Sequence, residues 1–326
     1  MIVGQDLAVD RFRSAMDSGS LHHAWLLAGP RGVGKASFAE AAAARLLAEA
    51  AGPPVARPGL ETPQDHPIAK LVAARSHPDL RWLQRLPKEK GEGLARNISV
   101  KQIRELIEFL GLTPALSSSR AIVIDTADEL EASGANALLK MLEEPPPNSV
   151  FFLVSHSPGR LLPTIRSRCR RLDFRLLGDD AMTSLLDTRL PQLAEEERRR
   201  LVAMAGGSAG RAIAFAGLGL AGLEEEALAM LREGDETNAR CSSLAQELGR
   251  KGAVERYAAF LDFVPSLVAR EARRLGGRQQ ERAIVAYAEV RELAALAPRL
   301  TLDPAATVFQ IGGILASVAA PSSRGA

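Results

Sequence analysis

The 326-residue sequence predicts an α/β fold: a parallel, doubly wound sheet built around a phosphate-binding loop, followed by an all-helical remainder. Three observations carry that prediction. The apolar stretch "AWLLAG" (24–29) runs directly into the glycine-rich "GPRGVGKAS" (29–37) and then into a strong helix former. Apolar runs that read as buried strands then alternate with amphipathic runs, the pattern of a parallel sheet with crossover helices. From about residue 173 the strand signals disappear and only helical periodicity remains.

Residues 5–18 read as a short helix, and 24–29 as a buried strand entering the loop. "KASFAEAAAARLLAEAA" (35–51) favours helix at nearly every position. Strand, glycine loop and helix is the setting a phosphate loop requires, because the first helical turn presents free backbone N–H groups to an anion. Residues 52–67, rich in Pro and Gly, read as an exposed loop. His66, His77, Asp65 and Asp79 stand near it, but no Cys and no tight His spacing supports a metal site, and "HPD" (77–79) reads as a turn before the strand "LRWLQ". "SVKQIRELIEFLGL" (99–112) opens on a Ser N-cap and places Ile103, Leu106, Ile107 and Leu110 on one face. "RAIVIDTADEL" (120–130) contains a buried strand ending in a carboxylate, and the helix "ASGANALLKMLEE" is stopped by Pro145 to Pro147. "SVFFLVSHS" (149–157) is a further buried strand with polar residues at its carboxyl end. Ligands bind such sheets at the carboxyl ends of the strands, where the loop, Asp125 and Ser155 would converge. Residues 178–216 suit a small helical bundle, and 220–317 four or five amphipathic helices for packing and subunit contact.

Composition narrows the function classes. A hydrophobic fraction of 46% and a charged fraction of 25% are those of an ordinary globular protein, and a net charge of +2 provides no global field toward nucleic acid. Cys169 and Cys241 lie far apart and make no metal-spaced set, which suits a reducing compartment. No basic-then-apolar segment opens the chain and no apolar run approaches the ~20 residues of a membrane span, so a cytoplasmic protein without membrane contact is expected.

The phosphate-loop pattern G-x-x-x-x-G-K-[ST] is met by Gly29, Gly34 and Lys35, with Gly32 inside it, but Ala36 stands where the hydroxyl belongs. An active P-loop ATPase needs the backbone cradle, the Lys, a Ser/Thr hydroxyl on Mg²⁺ and a strand-end Asp for the metal. Asp125 fits the strand end. Asp128–Glu129 as the acidic pair would need a strand through Asp125, Thr126 and Ala127, which no buried strand favours. Ser37 does not replace the missing hydroxyl, since it lies about 100° further around the helix.

The stretch "ANALLKMLEEPPPNSVFFLVSHSPGRLLPTIRSRC" (135–169) is more specific than the loop. It closely resembles the nucleotide-binding domains of the bacterial DNA polymerase III clamp-loader family, in which N-A-L-L-K-x-L-E-E-P-P and S-R-C are hallmarks. With "HPDL" (77–80) and the helical C-terminal third, the resemblance covers essentially the whole chain. It implies an AAA+ P-loop domain over 1–172, a small helical lid over 173–218 and an all-α oligomerisation collar over 219–318; the last residues, ending in "APSSRGA", read by themselves as a disordered tail over 319–326. AAA+ motors carry a Glu beside the strand-end Asp to polarise water; here that position is Thr126. With Ala36, two hydrolytic groups are missing together, which points to a non-hydrolysing subunit. ATP or ADP held without hydrolysis by Gly29, Gly32, Gly34 and Lys35 is one reading of the retained loop; a purely structural turn is the other.

The resemblance also assigns further roles. Ser155 matches sensor 1, with a hydrogen-bonding cap as the alternative, and Arg211 matches the sensor 2 arginine of the lid, with an ordinary solvated arginine as the alternative. Arg168 of "SRC" matches the arginine that enters a neighbouring subunit's nucleotide site; the alternative is a basic surface run with Arg166, Arg170, Arg171 and Arg175, which would touch DNA phosphates. The family's four-cysteine zinc site has no counterpart, because residues 50–80 hold no Cys, and neither zinc nor another metal is expected. The implied assembly is a hetro-oligomer with gamma/tau motor subunits and the delta subunit, reaching the sliding clamp and primed DNA through the complex. An active gamma/tau-type motor is the rival reading, and an unrelated P-loop nucleotide-binding enzyme a third.

Overall fold

In the computed structural model the described residues are 2–88 and 93–319, so the tail expected at the end lies, from residue 320 on, outside the described residues. The chain divides into two compact units, 1–181 and 182–326.

The first unit carries the sheet. Its elements follow as α1 (Asp6–Asp17), β1 (Ala24–Ala28), α2 (Lys35–Ala51), α3 (Pro67–Ala73), β2 (Leu80–Leu83), α4 (Val100–Gly111), β3 (Arg120–Asp125), α5 (Ala132–Glu143), β4 (Ser149–Ser155), α6 (Pro163–Ser167) and β5 (Arg170–Asp173). The five strands are parallel, in the order β2-β3-β4-β1-β5. The α/β class and parallel sheet are therefore as the sequence predicts. Alternation along each strand divides the continuous apolar runs between two cores. Trp25, Leu27, Val123, Phe152 and Val154 face one core with Phe12 of α1 and Phe38 and Leu47 of α2. Leu26, Ile122, Ile124, Phe151 and Leu153 face the other with Ile103 and Leu106 of α4, Leu138 and Leu142 of α5 and Ile165 of α6. Aromatics are few, yet Phe12 packs edge-on against Trp25 at 5.0 Å and Phe38 at 5.8 Å, and Phe38 against Phe174 at 5.2 Å.

Several local expectations change. Helix α4 has its Ser99 cap, completed by Gln102 as a capping box. Its buried face is Ile103, Leu106, Phe109 and Leu110, while Ile107 is exposed, because the larger Phe109 takes the inward position. The short elements α3, α6 and β5 have too few residues for periodicity to register. The loop at 52–67 is held by Arg45, a buried residue of α2 that donates to the carbonyls of Val55, Arg57 and Glu61 and pairs with Glu49.

Among the described residues the second unit and its approach hold helices and no strand: α7 (Asp179–Arg189), α8 (Glu195–Ala205), α9 (Ala209–Phe215), α10 (Ala221–Glu233), α11 (Ala239–Leu248), α12 (Val254–Ala272), α13 (Gly277–Leu300) and α14 (Pro304–Ala316). Gly312 lets α14 approach α11, since a Cβ there would meet the Cys241 sulfur at 2.7 Å. Arg232 pairs with Glu271 and Arg270 with Glu224, tying α10 to α12. Among the described residues no helix is long and apolar enough to cross a membrane.

Candidate nucleotide-type site and the Ser-Arg-Cys arginine

Parallel register brings the carboxyl ends of β3, β4 and β1 side by side: Ala28 lies opposite Ser155, and Asp125 opposite Val154. The turn out of β1 requires glycine. A Cβ on Gly29 would meet the Phe174 carbonyl oxygen at 2.3 Å, because the Phe174 amide donates to Ala28 just beyond β5. Gly32 and Gly34 have φ of 72° and 97°, left-handed values that few other residues adopt. Gly34 is the N-cap of α2, with Lys35 as its first residue.

The loop lysine bonds within its own loop. Lys35 is only 3% exposed, and its Nζ donates to the carbonyls of Gly29, at 2.6 Å, and Pro30. Burial pushes its ammonium down to about 8, against the pull of Asp128 and Asp125. Burial raises the Asp125 carboxyl above its ordinary range, opposed by Arg75 and Lys35. Thr126 follows in the left-handed region at φ 65°, an uncommon place for a β-branched residue, and its hydroxyl lies 3.3 Å from His156 Nε2. Fully buried Ser155 donates its hydroxyl to Asp128 at 2.5 Å, and the same carboxylate accepts the amides of His156 at 2.5 Å and Ser157 at 3.1 Å. Burial, with Lys35 and Arg31 nearby, pushes the His156 imidazole down to about 4. Glu129 pairs with Arg31 of the loop and with Arg85.

Strand β3 ends at Asp125, the register chosen from the sequence. Asp128 is the residue sequence reasoning missed. Excluded as a catalytic acid, it is the acceptor that joins the end of β3 to the end of β4. Position 36 offers no side-chain oxygen and position 126 no carboxylate, while the loop keeps Lys35 and the strand end keeps Asp125.

Elsewhere in the first unit, Asp79 accepts the amides of Ala115, Leu116 and Ser117, bonds that lower its carboxyl against the opposing effect of burial. His66 caps α3 through Ile68 N, and His77 accepts from Asp79 N. These residues are spent on turns and caps, and no group of three or more His, Cys, Asp or Glu among the described residues is arranged to hold a metal.

Arg168 differs from Lys35. It follows α6 as the C-cap, anchored by buried Ile165, and its side chain is 35% exposed. Nη1 donates to Thr164 O at 3.0 Å and Nη2 pairs with Glu143 at 2.7 Å. In the same run, Arg171 pairs with Asp173, and Arg170 lies over the Trp25 ring at 5.4 Å. Arg211 belongs to the second unit, where Asp262 holds its guanidinium on two edges at 2.8 and 2.9 Å and Ser266 lies at 3.3 Å.

A family model described as "DNA polymerase III, delta subunit" matches residues 4–177, more than half of the chain. The chain belongs to this family. The match takes in the phosphate loop, Asp125, Ser155 and the S-R-C stretch, so the resemblance drawn from residues 135–169 holds at the level of the clamp-loader family. The DNA polymerase III subunit delta' of Pseudomonas aeruginosa is 38% identical over 187 residues, 57% of this chain and 53% of that protein. The delta' subunit of Bacillus subtilis is 34% identical over 173 residues, 53% of this chain and 48% of that protein. The gamma/tau subunit of Mycobacterium tuberculosis is 34% identical over 185 residues, 57% of this chain and 30% of that protein. The chain thus matches about half the length of these delta' relatives, and less of the gamma/tau relative.

Proposed function

We propose that the chain is a structural, non-hydrolysing AAA+ subunit of the delta-prime type in the DNA polymerase III clamp loader, which supplies Arg168 to the nucleotide site of a neighbouring gamma/tau motor subunit. One contrast carries the reading. The loop lysine is buried on its own loop carbonyls beside Ala36, while Arg168 keeps a partly exposed guanidinium. Phosphoryl transfer places negative charge on the γ-phosphate oxygens, and a planar, permanently charged guanidinium is suited to meet it. In this reading residues 1–172 form the AAA+ domain, 173–218 the lid and 219–318 the collar that joins motor and delta subunits. Clamp and primed DNA are reached through the assembled complex in the cytoplasm. Gly29, Gly32, Gly34 and Lys35 form a degenerate cradle that binds ATP or ADP only if Lys35 leaves its carbonyls, with Asp125 and Ser155 at the neighbouring strand ends; Arg211 keeps the sensor 2 role only as the family resemblance implies it.

The identity shared with gamma/tau subunits favours a second reading, an active motor. The bare Ala36 and the neutral Thr126 weigh against it. ATP turnover by the purified chain decides between the two. Negligible turnover is expected. Steady turnover near the usual enzymatic range of about 1 per second or more, abolished by Lys35→Met, would overturn the non-hydrolysing reading.

A further inference from the structure

Glu143 is the last residue of α5, and Pro145 to Pro147 end the helix just beyond it. Its carboxylate reaches the Nη2 of Arg168 at 2.7 Å, while the carbonyl of Thr164 takes Nη1 at 3.0 Å. The two acceptors come from different elements, one on α5 and one on α6, and both elements are anchored in the same core by Leu138, Leu142 and Ile165. A guanidinium has five N–H donors, so these two contacts leave other donors for a ligand.

The pair is half-exposed on both sides, 35% for Arg168 and 42% for Glu143. Exposed ion pairs add little to folding stability, so a fold-stabilising role does not explain the arrangement. Its effect is on orientation. An unrestrained arginine must be ordered when it meets a phosphate, and a side chain already fixed on two acceptors has lost part of that freedom beforehand.

We infer that Glu143 is a positioning residue for Arg168: it holds one edge of the guanidinium on the end of α5 so that the remaining donors face a triphosphate bound by the neighbouring subunit. This rests on the proposed role of Arg168 and assigns Glu143 no contact with nucleotide.

The test is ATP turnover by the DNA-stimulated complex, reconstituted with motor subunits and verified intact, carrying Glu143→Gln, Arg168→Ala or both. Glu143→Gln is expected to lower turnover at the one motor site that Arg168 serves about 3–10-fold at unchanged KM for ATP, the size of a lost side-chain ordering advantage, with a partial fall in the total rate of the complex. Arg168→Ala is expected to cost more, and the double variant to equal Arg168→Ala alone, because without the arginine the carboxylate has nothing to orient. Wild-type turnover in Glu143→Gln with a defect in Arg168→Ala overturns the positioning role and leaves the arginine's role standing. A further loss when Glu143→Gln is added to Arg168→Ala shows a structural effect and also overturns it. Wild-type turnover in Arg168→Ala removes the reading on which the inference rests.

Discussion

At the phosphate loop, Lys35 donates to two loop carbonyls, Ser155 donates to Asp128, and the amides of His156 and Ser157 donate to the same carboxylate. At Arg168, two contacts fix the side chain and its remaining donors stay available, on a residue that is over a third exposed. Buried polar groups are mostly paired, and Lys35 and Ser155 are paired within the chain. An exposed arginine is under no such demand. The difference is between side chains paired within the chain and a guanidinium with N–H donors to spare.

If that division is right, substitutions should separate stability from assembly-level activity. The largest stability effect is expected at Asp128. Asp128→Ala strips three donors of their acceptor, and hydrogen bonds to charged groups are worth about 1.5–3 kcal/mol each. Even after relaxation the thermal midpoint of the purified protein should fall by about 5 °C or more. A change under about 1 °C would mean that Asp128 does not hold the strand ends together.

His156 sharpens the same point through pH. Its folded imidazole titrates near 4, against an ordinary value of 6.5. Between these values the unfolded chain binds the proton and the folded chain resists it, so stability is present above pH 6.5 and is lost as pH falls toward 4. Discounted for the solvent that screens a partly exposed ring, the contribution is on the order of 1–2 kcal/mol. The midpoint of His156→Gln should therefore fall less between pH 7 and pH 4.5 than that of the wild type. Parallel curves for the two proteins would show that the imidazole is not held neutral.

The smallest stability effect is expected on the other side of the comparison. Arg168→Ala removes a half-exposed pair, worth about 0–1 kcal/mol, and should move the midpoint by no more than about 2–3 °C. A larger fall would make Arg168 a structural residue.

Much of this was legible in the sequence because it is carried by local pattern. The glycine loop between β1 and α2, the strand ending at Asp125 and the helix stopped by Pro145 each depend on neighbouring residues, and the two-core sheet follows from alternation. The partners of the site residues were not legible. Asp128 meets Ser155 across 27 positions, Glu143 meets Arg168 across two elements, and Arg45 reaches three carbonyls of the Pro-rich loop. Such pairings depend on how strands and helices are juxtaposed, which periodicity does not specify. Ile107 was misassigned for a related reason: α4 has two candidate apolar faces, and packing against the sheet chose the one with Phe109.

The central proposal is that the chain's own loop is silent while Arg168 acts on nucleotide held by another subunit. The most direct measurement is DNA-stimulated ATP turnover by the reconstituted complex, with this chain carrying either Lys35→Met or Arg168→Ala and assembly verified by gel filtration. The account predicts wild-type turnover with Lys35→Met and a loss with Arg168→Ala that approaches the ~10³-fold or greater contribution of an arginine finger at the one site it serves, with the remaining motor sites unchanged. Wild-type turnover with Arg168→Ala, or a loss confined to Lys35→Met, would contradict it.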